Sequence, residues 1–308
     1  MGTNCTDNRL QWLDIAKGFT IILMVLGHTS IPKFASDFIW SFHMPLFFIA
    51  SGWCTNWDRD SICKFIAFKA SALLLPFVLY SSIVLIASQL IGGGNLKTFL
   101  CIGWEGYALW FIPVLFFALI VAKLIKSVQA KNLQILFWLL TAVIGDGLSY
   151  NKIYLPWTFS TVPYACFLII LGSKAKQYQE YFSSPRWWLL IVGFLTAAIV
   201  SRFCRLDMAS NNITPITVLT VGACAGTAMM FTFSSYIDKY AKYTSRLLQA
   251  VGKETYLILA FSQITIVLLN HYFVLNSAIK YAFLIAVLVV SKYMKAGLNV
   301  LIGKRFCK

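Results

Sequence analysis

Charge is what this chain has least of. Only 12% of its 308 residues are Asp, Glu, Lys or Arg, and just 11 are acidic. Soluble domains carry about 25% charged and about 45–50% apolar residues. Here 59% are apolar and the mean hydropathy is +0.74. That excess does not fit inside one water-soluble core, which argues against a soluble enzyme and against a disordered tail. Cysteine pairing is missing too. The eight cysteines (Cys5, Cys54, Cys63, Cys101, Cys166, Cys204, Cys224 and Cys307) form no Cys-x-x-Cys pair. That argues against a zinc site and against a disulfide scaffold, and no metal is expected. Most of them lie in or beside apolar runs, where a thiol packs as a small hydrophobe. The opening MGTNCTDNRLQW lacks a basic start and a small-residue cleavage site. The first apolar run is therefore expected to stay as a helix.

Long apolar runs dominate what is present. A bilayer core takes about 20 apolar residues per helix. Ten spans are expected near 12–29, 38–57, 65–91, 107–126, 132–149, 158–173, 187–203, 212–235, 254–272 and 276–302. Residues 1–308 thus read as a single integral-membrane domain, an all-α bundle of about ten transmembrane helices. The net charge of +15 would suggest nucleic acid in a soluble protein. In a membrane protein it marks loops held in the cytoplasm, and no nucleic-acid partner is expected. Of the 26 lysines and arginines, 20 fall in the even loops and the termini. The other six, Lys33, Lys97, Lys152, Arg202, Arg205 and Lys280, fall in the odd loops. Both termini are therefore expected in the cytoplasm.

Ionisable side chains inside spans are costly and point to function. The first span holds Asp14 and Lys17, then ten residues, then His28; the second holds His43. At 1.5 Å per residue, Lys17 and His28 stand roughly 16 Å apart along a helix. A neutral imidazole is suited to take a proton from a hydroxyl. Plainer roles stand beside these. A buried histidine also packs against a backbone carbonyl, and Asp14 pairs with Lys17 within a helix. Trp110 fits an aromatic belt as well as a substrate platform. Glu105 fits an exposed loop as well as a histidine partner. His271 fits an interfacial position, and Asp146 a helix-terminal turn.

The stretch DIAKGFTIILMVLGHTSIP followed by SFHMPLFFIASG resembles the opening of the acyltransferase 3 family of bacterial membrane acetyltransferases, and within it the group related to fucose 4-O-acetylase. The family pattern of a basic residue, ten residues and a histidine is Lys17-x10-His28 here, with lysine where much of the family has arginine. His43, Pro45, Ser51 and Gly52 match the second helix, and LWFIPVLF (Leu109 to Phe116) matches a Trp-Phe-Leu-Pro stretch. KASALLLPF (Lys69 to Phe77) is similar to a basic segment leading into Leu-x-x-Pro, without the arginine usual before it. The resemblance implies transfer of an acetyl group from cytoplasmic acetyl-CoA to a hydroxyl of a surface glycan or its lipid-linked precursor. The enzyme would sit in the bacterial inner membrane, with the lipid bilayer as its solvent.

On that reading His28 is the general base. His43 hydrogen-bonds the developing oxyanion or positions the acceptor, and Glu105 orients a histidine. Lys17 and Lys69 hold CoA phosphates, with Lys64 near the same mouth, and Trp110 lines the donor path. Direct transfer and an acyl-histidine intermediate both remain open. A transporter or flippase with a histidine proton relay is the alternative from another class. A non-catalytic subunit of a glycan-assembly complex is a further one.

Overall fold

A computed structural model describes residues 10–29, 31–93, 95–103, 107–272 and 285–286. Helix α1 (Gln11–Gly27) fills the first expected span. The second is broken in two. Helix α2 (Lys33–Trp40) ends at Ser41, whose hydroxyl donates to the Phe38 carbonyl at 2.7 Å, and α3 (His43–Cys54) begins two residues later. Pro45 accounts for the break. It has no N–H for the carbonyl four residues back, so a helix accepts it only in its first turn. His43 is consequently the first residue of a helix.

The third span combines α4 (Ile62–Lys69), a π-helical turn over Ala70–Leu74, and α5 (Leu75–Gln89). Pro76 lies in the first turn of α5. After the short α6 (Leu96–Ile102) come α7 (Phe111–Lys126), α8 (Lys131–Tyr150), α9 (Val162–Ala175) and the short α10 (Gln179–Ser183). The remaining helices are α11 (Trp187–Phe203), α12 (Ile216–Tyr240), α13 (Lys242–Lys253) and α14 (Thr255–Tyr272). Helices therefore occupy the places of the first nine expected spans; the tenth, 276–302, lies outside the described residues. Helix α13 falls where only a cytoplasmic loop was expected.

Among the described residues, six helical segments are long and apolar enough to cross a membrane: Ile62–Gln89, Ala108–Lys126, Lys131–Tyr150, Pro156–Ser183, Ile216–Tyr240 and Thr255–Tyr272. Helix α11 is apolar but shorter. The surface identifies the solvent. Only 11% of the apolar stretch of α8 is buried, and Leu139 and Val143 point outward. Ile191, Leu195 and Ile199 do the same on α11. Apolar faces of that extent belong in lipid, where a helix satisfies its own backbone. The chain is an all-α membrane protein.

Two backbone seams set the spacing of the bundle. A Cβ on Gly52 would sit 1.9 Å from the Ile169 carbonyl oxygen, and one on Gly172 2.0 Å from that of Ile49. Helices α3 and α9 thus touch backbone to backbone. Gly18 meets the Leu248 carbonyl and Gly252 that of Asp14 in the same way, which joins α1 to α13. Small residues serve this purpose in membranes, where packing replaces the hydrophobic drive between helices. Between the seams, Trp12 packs edge-on against Trp53 at 5.5 Å and Phe231 at 5.2 Å, tying α1, α3 and α12 together. Each such pair contributes about 0.5–1.5 kcal/mol beyond its buried area.

Candidate active site

The break after α2 aims three rings at one place. His28 follows the end of α1, Trp40 closes α2, and His43 opens α3. The Trp40 ring meets His28 edge-on at 5.5 Å and His43 edge-on at 5.6 Å. The short connection between the first two spans therefore brings the two imidazoles together, with an indole between them. His43 Nδ1 lies 3.0 Å from the Ile39 carbonyl oxygen. A carbonyl only accepts, so the Nδ1–H donates and a neutral His43 keeps its lone pair on Nε2. That favours His43 as an acceptor of a hydroxyl proton bond over a donor to an oxyanion.

The rings line a cavity of about 30 Å³ together with Met24, Trp110 and Asp207. Such a space takes a small polar group or a water molecule beside the two rings. Ala108 also lines the cavity, and its N–H donates to the side-chain oxygen of Gln263 on α14. Trp110 is buried here beside the imidazoles.

A tight loop after α11 forms the opposite wall. Asp207 exchanges backbone hydrogen bonds with Asn212 at 3.0 and 2.8 Å. The Asp207 carboxylate accepts from the Ala209 and Ser210 N–H groups at 3.1 and 3.2 Å and from the Ser210 hydroxyl at 3.0 Å. Thr161 fixes the loop from α9's side, its hydroxyl donating to the Met208 carbonyl at 2.7 Å. Arg205, in the same loop, stacks its guanidinium 4.3 Å from the Trp40 ring centre. It also donates to the buried Asp37 carboxylate at 3.0 Å, whose other oxygen pairs with Lys33 at 2.5 Å.

The cations fall into two groups. Lys17 pairs with the buried Asp14 at 2.7 Å, which is the plain role that their spacing allowed. Lys69 lies elsewhere. Its ammonium reaches the Thr55 hydroxyl at 3.5 Å and stands over the Phe65 ring, which Lys123 shares. Buried Lys123 donates to the Trp57 carbonyl. Lys126 bonds the Ser173 hydroxyl at 2.8 Å and lies over the Trp57 ring at 5.4 Å, with the Asp58 carboxylate and the Lys174 and Lys123 ammonium groups near enough to act on its charge. Trp110 and Lys123 stand at opposite ends of one helical segment, roughly 20 Å apart at 1.5 Å per residue. Glu105 lies outside the described residues.

Trp40, Arg205, Asp207 and Gln263 did not stand out in the sequence. Arg205 and Asp207 carried the one available signal, two opposite charges in a short loop on the side that is poor in cations. Trp40 and Gln263 carried none, because an indole or an amide in an apolar run has many ordinary uses.

Comparison with known proteins agrees with the opening motifs. Nodulation protein NolL of Sinorhizobium fredii is 33% identical over 91 residues, which cover 25% of this chain and 25% of that relative. The chain thus spans about a quarter of the length of the curated relative that it matches. No solved structure matches. The acyltransferase 3 family, described as an acyltransferase domain, matches residues 10–294, and the chain belongs to that family.

Proposed function

We propose that this protein is an acetyl-CoA-dependent O-acetyltransferase of the bacterial inner membrane, with a surface glycan or its lipid-linked precursor as acceptor. The observation that carries this reading is the pair of imidazoles around Trp40 in one cavity, on a chain of an acyltransferase family. His28 takes the acceptor's hydroxyl proton as its oxygen attacks the thioester carbonyl carbon. The tetrahedral oxyanion collapses, the carbon–sulfur bond breaks, and the imidazolium returns the proton to the CoA thiolate. His43 Nε2 accepts a hydrogen bond from the sugar and fixes its approach. Lys69, Lys123, Lys126 and Lys174 are the cations that suit the donor's phosphates, with Lys17 as a further charge on the way. Ammonium groups gathered at that end of α7 would concentrate a polyanion. The roughly 20 Å between this cluster and Trp110 is covered by the pantetheine arm.

The test is transfer itself. Purified protein in nanodiscs is given acetyl-CoA carrying a radiolabelled acetyl group, with glycan from cells that lack the gene. Base-labile label should appear on the glycan together with free CoA. Neither product above empty nanodiscs refutes the reading.

A further inference from the structure

Helix α13 is the element that the functional reading leaves unused. Its sequence, KYTSRLLQAVGK, holds three cations and no carboxylate. Ser245, Leu248 and Gly252 are buried, and Gly252 lies on the backbone of α1. At 3.6 residues per turn, Lys242, Arg246 and Lys253 line one edge of the helix. Tyr243 and Leu247 occupy the face turned away from the protein, 85% and 69% exposed.

The flanking helices fix the height of this face. Helix α12 ends at Tyr240 and α14 begins at Thr255, and both belong to segments long and apolar enough to span the bilayer. Single residues, Ala241 and Glu254, connect them to α13. Helix α13 is therefore held at the membrane boundary, where an exposed tyrosine and leucine meet acyl chains and the basic edge meets headgroups. We propose that α13 is an interfacial helix that rests on anionic phospholipid. Such helices sink their apolar face about 5–10 Å into the headgroup boundary. Lysine and arginine stems lie along the apolar surface while their charges stay among the phosphates. Each basic side chain near an anionic leaflet favours contact by about fivefold, and salt weakens that gain.

The experiment uses the full chain with native cysteines replaced by serine, reconstituted in nanodiscs. A bimane fluorophore is placed on Tyr243→Cys or on Leu247→Cys. Brominated phosphatidylglycerol should quench both labels strongly. Brominated phosphatidylcholine at the same mole fraction should quench them several-fold less, and added salt should narrow the difference. In the Lys242→Gln/Arg246→Gln/Lys253→Gln background the two lipids should quench alike. Quenching by aqueous iodide alone would overturn the proposal, because the face would then be in water. Shielding from iodide and lipid together would also overturn it, because another protein would cover the face. Equal quenching by both lipids in the unaltered helix would remove the anionic preference.

Discussion

Replacing Arg205 by methionine tests whether the indole between the histidines is held in place from outside. The guanidinium makes two contacts, the stack on Trp40 and the bond to Asp37. A cation–π contact at such a partly exposed site contributes about 0.5–1 kcal/mol. The ion pair is discounted, because the Arg205 side chain is 41% exposed and Lys33 stays on the other Asp37 oxygen; that leaves about 0.2–1 kcal/mol. The total is about 0.7–2 kcal/mol, or roughly 3–30-fold in rate if all of it goes into holding Trp40 in position. In a steady-state assay of CoA release with acceptor glycan, Arg205→Met should lower kcat by that factor. KM for acetyl-CoA should stay put, since the lysine cluster lies at the far end of α7. Arg205→Lys should lie between the two, keeping the ion pair and losing the planar stack. Unchanged kcat in Arg205→Met, with the protein folded, would refute the reasoning.

Four further outcomes are expected. His28→Ala should lose about 10²–10⁴-fold in kcat while a direct binding assay shows acetyl-CoA affinity intact; turnover near wild type would leave His28 outside the chemistry. Lys126→Ala combined with Lys174→Ala should weaken acetyl-CoA binding, and isothermal titration reads this, whereas Lys17→Arg should retain affinity. Gly52→Leu should cost about 1–3 kcal/mol or more, because a side chain would run into the Ile169 carbonyl, and the melting temperature in detergent should drop. With native cysteines removed, a membrane-impermeant maleimide on intact cells should label Asn95→Cys and spare Lys126→Cys, as the distribution of cations requires.

The positions of helices were legible because each apolar run is long and each break carries Gly, Pro or charge. The split of the second span was legible in principle at Pro45, yet the apolar run continues through it and hides the restart. Helix α13 escaped because its apolar side chains are shared between the protein and its outer face, so no single long run marks it. The pairing of the imidazoles followed from a short connection between adjacent spans. The clamp on Trp40 did not, since Arg205 lies 165 positions further along the chain and only the packing of α11 beside α2 unites them. Lys17 and Lys69 looked alike as cations; the i,i+3 spacing already offered Asp14 to the first, but nothing in the sequence marked the Phe65 ring beneath the second.

The seam between α3 and α9 works as a ruler made of main chain. Gly52 and Gly172 let two carbonyls set the distance between the helix axes, and His43 stands two turns and more up the same rod. Exchange of leucine for methionine elsewhere in the core leaves that distance untouched, because no side chain lies at the point of measurement. The lateral spacing of α3, which carries the imidazole, from α9 is thereby set by main chain at this point. At that one seam, side-chain volume has no say in how closely the two rods approach.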